Sequence, residues 1–214
     1  MSEPGSRKLR ILDAAEQLFA EHGYDGVTLR QIATLADVDV ALTSYHFGSK
    51  DSLFRAVFER RAVLLNAARM TALDACLAQA APGTPTLEAV IDAYLRPLGD
   101  IQSSADDGWR HYLSLVAWVN SSTEWGNELM TEYFNPFVQR FIEALKAALP
   151  DADEKALHWG YQFMSGALTL TFADTRRMDR LSEGAASSAD AATGYDHMIP
   201  FVAAGFRRIC SPHD

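Results

Sequence analysis

Ala41, Thr43, Ser44 and Tyr45 stand close together in the run Val40-Ala-Leu-Thr-Ser-Tyr-His-Phe47, with cations before and after them at Arg30 and Lys50. Hydroxyls exchange hydrogen bonds with base edges and phosphate oxygens, cations neutralise phosphates, and a small side chain lets a backbone come close to a groove. These residue types at this spacing therefore suit a short helix laid against DNA. Thr43, Ser44 and Tyr45 are the candidates for base or phosphate contact, with Ala41 giving close approach. His46 and Lys50 are candidate phosphate ligands, and Thr28 and Arg30 would reach the DNA backbone from the segment before. Tyr45 and His46 also have a plainer use, packing their rings between the helices.

Such a helix needs fixed ends and a neighbour. Thr28 is a good N-cap for a helix carrying Leu29, Ile32, Ala33 and Ala36 at helical spacing, and Ala36-Asp37-Val38 interrupts it. Asp39 then caps a second short helix over Val40 to His46, with Val38 filling the angle between the two. Two short helices about a three-residue turn form the helix-turn-helix pattern of DNA readers. Ahead of them, Ile11, Leu12, Ala15, Leu18 and Phe19 predict an amphipathic helix from about Arg7 to His22, stopped by Gly23. Tyr24 and Val27 are expected to plug the core. Behind them, Ser49 caps a long helix running through Leu53, Phe54, Val57, Phe58, Leu64 and Leu65 towards Leu77.

The run Ile11 to Thr28, the two short helices and Tyr45-His-Phe-Gly-Ser-Lys-Asp-Ser-Leu-Phe54 together resemble the TetR family of bacterial one-component regulators, without a gap from about Arg7 to Arg61. The resemblance implies an all-α protein with a DNA-binding domain over residues 1–48 and an effector-binding and dimerisation domain over 49–214. It also implies a homodimer that binds a double-stranded DNA operator. In many relatives an aromatic residue precedes the His by two places; here that position is Ser44, so a phosphate contact commonly made there is not expected in the same form.

Beyond Pro82-Gly-Thr-Pro85, which breaks the chain, helical spacing continues to the C-terminus and no strand pattern appears. Helices are expected from Thr86 until Pro97 kinks or ends it, after Gly108, over Glu128 to Leu149, over Leu157 to Phe172, and from about Asp196 to Ile209. The low-complexity stretch from Ser182 to Gly194 reads as a loop. Aromatic residues are frequent here. Tyr94, Trp109, Leu113, Val116, Phe137, Phe141 and Phe163 are the candidates for lining an apolar effector cavity, and ordinary core packing is the competing use of each. The segments His158 to Ala167 and Met198 to Phe206 are similar to a subgroup of TetR-type regulators that respond to fatty acids. That similarity implies a fatty acid or acyl-CoA as a small hydrophobic effector, its head group met by Arg69, Arg110, His111 or Arg140. A cationic or aromatic drug-like effector would suit the excess of Asp and Glu instead. The long helix from Lys50 is the natural lever, since it can touch both the effector and the DNA-binding domain; the default is repression relieved by ligand, through a coupling of about 1–3 kcal/mol.

Other classes find less support. The six histidines are scattered, no nucleophile motif or glycine-rich phosphate loop is present, and Glu154 with His158 makes no metal site alone. No catalytic residue, metal or cofactor is therefore expected. A helical lipid-binding protein would account for the apolar C-terminal part but not for the helix-turn-helix. No secretory signal or span for a membrane is evident, and Cys76 and Cys210 are far apart in sequence, so a cytoplasmic protein with free thiols is expected. The formal net charge is −9, yet residues 1–61 hold eight Lys/Arg against nine Asp/Glu, so most of the acidity lies further on. A nearly neutral DNA-binding part must rely on a few placed cations, helix N-termini and hydroxyls. Operator affinity measured across a salt series should accordingly fall with a shallow slope; a steep one, the mark of many released counterions, would refute this.

Overall fold

The computed structural model describes residues 4–102, 106–123, 125–173 and 175–211, and every regular element among them is an α-helix. Local signals set the first four. Helix α1 (Pro4–His22) buries Ile11, Ala15 and Phe19 and ends at Gly23, whose φ of 70° suits a residue without a Cβ. Helix α2 (Leu29–Leu35) begins with a reciprocal cap, in which Gln31 N–H donates to Thr28 Oγ1 at 3.3 Å and Thr28 N–H to Gln31 Oε1 at 2.8 Å. Asp37 takes a φ of 51° in the turn that follows. Helix α3 (Val40–Phe47) is capped by Asp39, which accepts from Ala41 N–H at 2.7 Å, and Gly48 closes it. Ser49 then caps α4 (Lys50–Ala80), accepting from Ser52 N–H at 3.0 Å. At 1.5 Å per residue α4 is about 46 Å long.

The remaining chain forms α5 (Leu87–Gln102), α6 (Asp107–Ser121), α7 (Trp125–Ala148), α8 (Glu154–Phe172), a short α9 (Arg177–Leu181) and α10 (Ala191–Cys210). Helix α4 packs on α1 at one end and on α5 and α7 along the body, while α6 lies between α1 and α8, and α10 closes on α5 and α8. The apolar core runs without a break from Phe19 and Ile32 to Phe206. Within it Phe54 has no exposed surface; its ring centroid lies 5.0 Å from Phe19, 5.1 Å from Tyr24 and 4.9 Å from Trp125. Gly160 lets α8 approach α10, because a Cβ there would fall inside the Phe206 ring.

Several boundaries differ from the expectation, two through tertiary packing and the rest through local caps. Of the two effects expected at Pro97, a kink or an end, the helix does not end there: α5 continues for five more residues, because Pro97 and Leu98 are buried and their packing outweighs one lost backbone hydrogen bond. Helix α7 starts at Trp125 rather than Glu128, since the Trp125 ring is held in the cluster around Phe54. The expected loop from Ser182 to Gly194 is partly helical. Asp190 caps α10 early, accepting from Thr193 N–H at 3.1 Å, and Asp179 of the unforeseen α9 accepts from Ser188 Oγ at 3.0 Å. No helix is long and apolar enough to cross a membrane among the described residues. Phe54→Ala should cost about 3–5 kcal/mol of unfolding free energy, measured by urea denaturation; a loss below 1 kcal/mol would show that the cluster is not what joins the two ends of the molecule.

Candidate functional site

The exposed side of α3 presents Ala41, Ser44 and Tyr45 to solvent, and Tyr45 is 82% exposed. A large ring this bare on a helix pinned by caps is unusual for a residue that only packs. His46 is half-buried, its ring 5.4 Å edge-on from Tyr45 and 6.2 Å from Phe47. Arg30 is exposed on α2, and Thr28 is exposed too, although its hydroxyl and N–H are both engaged with Gln31. Thr43 and Lys50 stand differently from the expectation. Thr43 has no exposed surface, because its side of α3 faces the core, so its hydroxyl cannot meet a base or phosphate in this conformation. Lys50 Nζ donates to the carbonyls of Tyr24 at 2.9 Å and Val27 at 3.0 Å and lies 4.1 Å from the centre of the Tyr24 ring. Its charge is spent holding the loop before α2 onto the start of α4.

Sequence reasoning missed the ion-pair cluster behind this face. Arg61 of α4 is 8% exposed and meets Glu16 of α1, itself 1% exposed, through two hydrogen bonds: Nε to Oε1 at 2.7 Å and Nη2 to Oε2 at 2.9 Å. Its Nη1 donates to Asp106 at 2.9 Å, and the other oxygen of Asp106 caps α6 by accepting from Gly108 N–H at 2.9 Å. Arg60 adds a bond to Glu16 at 2.9 Å and one to Asp13 at 2.7 Å. Burial works to lower the Arg61 pKa, but the Glu16 and Asp106 carboxylates more than reverse it and the net shift is upward; the Arg61 guanidinium in turn draws the Asp106 carboxyl below its usual range. The signal was present in the sequence. Glu16 falls in the apolar stripe between Leu12 and Phe19, and Arg61 in the stripe between Val57 and Leu65. Opposite charges in the buried stripes of two helices call for each other.

None of the seven expected effector residues lines either of the two cavities described below. Tyr94, Phe137 and Phe141 pack against each other, with Tyr94 4.6 Å from Phe141 and 5.4 Å from Phe137 between ring centres. Leu113 and Val116 are buried in the same core, and Trp109 lies half-buried over Arg61 at 4.7 Å. Phe163 is 61% exposed and stacks on Trp159 at the surface. Aromatic rings at helical spacing satisfy one another, which is why spacing alone did not separate wall from core. An open groove of about 840 Å³ runs instead between α4 and α5, past Ala72, Cys76, Ala89, Ala93 and Arg96, and none of the seven lines it. Of the four head-group candidates, Arg140 pairs with Asp74, Arg110 is exposed, and His111 borders a 500 Å³ recess beside Arg61; only Arg69 is buried. No group of three or more metal-ligating side chains comes together among the described residues.

Two family models match the chain: "Bacterial regulatory proteins, tetR family" over residues 11–57, and "Tetracyclin repressor-like, C-terminal domain" over residues 92–205. The chain is 36% identical over 55 residues to the HTH-type transcriptional repressor AcnR of Corynebacterium glutamicum, covering 26% of this chain and 29% of AcnR. It is 32% identical over 136 residues to the HTH-type transcriptional regulatory protein RaaS of Mycobacterium tuberculosis, covering 64% of this chain and 54% of RaaS. The matched segments thus span about half or less of these relatives. Among solved structures, NalD of Pseudomonas aeruginosa, described as the secondary repressor of the MexAB-OprM multidrug efflux pump, superposes with a TM-score of 0.63 at 22% identity, covering 95% of this chain and 98% of NalD. At that identity the likeness is one of fold.

Glu16→Ala should cost about 3–5 kcal/mol in a denaturant melt, because it leaves Arg61 buried without its two-point partner; the double variant Glu16→Leu with Arg61→Met should recover most of the loss. An additive double variant would mean that the two side chains do not act as a pair.

Proposed function

The chain belongs to the TetR family, and from that premise we propose that it is a DNA-binding transcriptional regulator, not an enzyme, which grips a palindromic operator as a homodimer and is released by a small hydrophobic effector. The single observation that carries this reading is the bare face of α3, where Ala41, Ser44 and Tyr45 are exposed together on a helix capped at both ends. Ser44 and Tyr45 supply base or phosphate contact, Arg30 and His46 meet phosphates on either side, and Thr28 brings the N-terminus of α2 to the backbone. Lys50 serves indirectly by fixing the loop, and Thr43 serves the core. Residues 1–48 read the DNA, and residues 49–214 bind effector and partner.

The pairing surface is argued from α8 and α10. At 100° per residue, Trp159, Phe163 and Leu170 fall within about 40° of one another around α8, and they are 52%, 61% and 66% exposed. Phe201 of the adjacent α10 is 73% exposed. Large apolar side chains bare on two neighbouring helices favour a protein partner over water, and a second copy covers both faces at once. Two-fold symmetry then sets the recognition helices about 34 Å apart, one turn of B-DNA. The effector is taken to be an acyl compound, on the similarity of the segments His158 to Ala167 and Met198 to Phe206 to fatty-acid-responsive regulators.

Footprinting of the DNA upstream of the protein's own gene, with and without a long-chain fatty acid or acyl-CoA, tests the reading directly. A protected palindrome lost on adding ligand is expected; protection that no acyl compound alters would overturn the effector class, and failure to bind any promoter DNA would favour a lipid-binding protein instead. Phe163→Asp should give a monomer by analytical ultracentrifugation and lose the footprint, whereas an unchanged dimer would move the interface elsewhere.

A further inference from the structure

Arg69 of α4 is 3% exposed, yet among the described residues no carboxylate pairs with it. Its Nε donates to the Tyr94 carbonyl at 3.2 Å, and its guanidinium carbon lies 4.0 Å from the centre of the Tyr94 ring and 5.6 Å from that of Phe137. Arg61, two turns earlier on the same helix and as deeply placed, is matched by Glu16 and Asp106. A guanidinium has five N–H donors, and carbonyls and ring faces do not supply the negative charge that its burial calls for.

One hydroxyl of the core also lacks an acceptor. The Tyr112 hydroxyl of α6 is fully buried and has no hydrogen-bond partner among the described residues. Burial pushes the pKa of Tyr112, Tyr161 and Tyr195 upward, with the Arg69 charge acting on all three in the opposite sense, so the hydroxyls remain protonated, and Tyr161 is already hydrogen-bonded to Tyr94. Tyr195 is already spent on Gln102 at 3.1 Å. A buried guanidinium set against the rings of Tyr94 and Phe137, with a buried hydroxyl on α6 that also lacks a partner among the described residues, offers the donors that a carboxylate head group takes.

We propose that the effector is an apolar carboxylic acid whose carboxylate docks on Arg69 and accepts from the Tyr112 hydroxyl, its tail displacing the packed rings of Tyr94, Phe137 and Phe141. The inference rests on the effector-responsive reading above and names the ligand's charge. A carboxylate offers two equivalent, negatively charged oxygens to the parallel N–H groups of a guanidinium, whereas a neutral ester offers one good acceptor without charge and an ammonium none. Because Arg69 and Arg61 share one helix, seating a ligand at the first shifts the second against Glu16.

Calorimetric titration of the intact protein with octanoate, laurate and 4-phenylbutyrate, alongside their methyl esters and dodecylamine, tests this. The wild type should bind at least one acid at least tenfold more tightly than its ester and should not prefer the amine. Arg69→Met should lose at least tenfold for the acid while its ester affinity and thermal midpoint are maintained, and Tyr112→Phe should lose severalfold with its fold intact. Equal binding of acid and ester by the wild type, or undiminished acid binding by Arg69→Met, would overturn the anchor. If esters or amines still release operator DNA in that case, the effector reading stands and only the carboxylate is wrong; if no compound binds or releases DNA, both fall.

Discussion

Taking a guanidinium out of water is costly without negative charge in reach, and Arg61 finds that charge at two other helices at once. Glu16 of α1 and Asp106 at the start of α6 converge on that one side chain of α4. Desolvating such charges is expensive, and their mutual attraction repays the cost only when the geometry is good and the remaining hydrogen bonds are met. Here two-point bonding and the neighbouring Arg60 meet those conditions. The position of α1 relative to α4, and therefore the direction in which α3 faces, is tied to the body by charge as well as by the rings around Phe54. Apolar contact tolerates sliding; a two-point ion pair does not.

What the sequence disclosed depended on how far apart the cooperating residues lie. Thr28 with Gln31, Asp39 with Ala41, and Ser49 with Ser52 are near neighbours, so the starts of α2, α3 and α4 could be read directly. Pro97 does not end α5 because its local effect on a helix is offset by burial, which no local rule contains. The same holds for Trp125, which extends α7 to reach Phe54. Helix α9 and the first turn of α10 lie in a stretch with little apolar periodicity, where caps such as Asp190 carry the structure. Among the residues expected to face DNA, exposure of Ser44 and Tyr45 agrees with their types, while Thr43 shows that a hydroxyl on a short helix says nothing about which side the neighbouring helices will cover. Lys50 was visible as a cation, but the two carbonyls that hold it come from a loop more than twenty residues away.

The body presents the opposite difficulty. Its aromatic content was plain, and its closed packing was not, because Tyr94, Phe137 and Phe141 look alike in sequence whether they wall a cavity or fill one. Charge distinguishes positions better than rings do. Arg61 and Arg69 both interrupt the apolar stripe of α4, one matched by carboxylates and the other not, so the same helix carries a satisfied cation near the head and an unsatisfied one in the body.

Asp106 gives two services with one carboxylate, starting α6 with one oxygen and holding Arg61 with the other. Head and body are for that reason not interchangeable parts. A chimera that grafts a foreign N-terminal segment onto this body would have to bring an acidic residue at the place of Glu16, or leave Arg61 to draw Asp106 away from the end of α6. Exchange of the N-terminal segment on this body is thus constrained by the Glu16–Arg61 pair, which lies behind the exposed face of α3 and not on it.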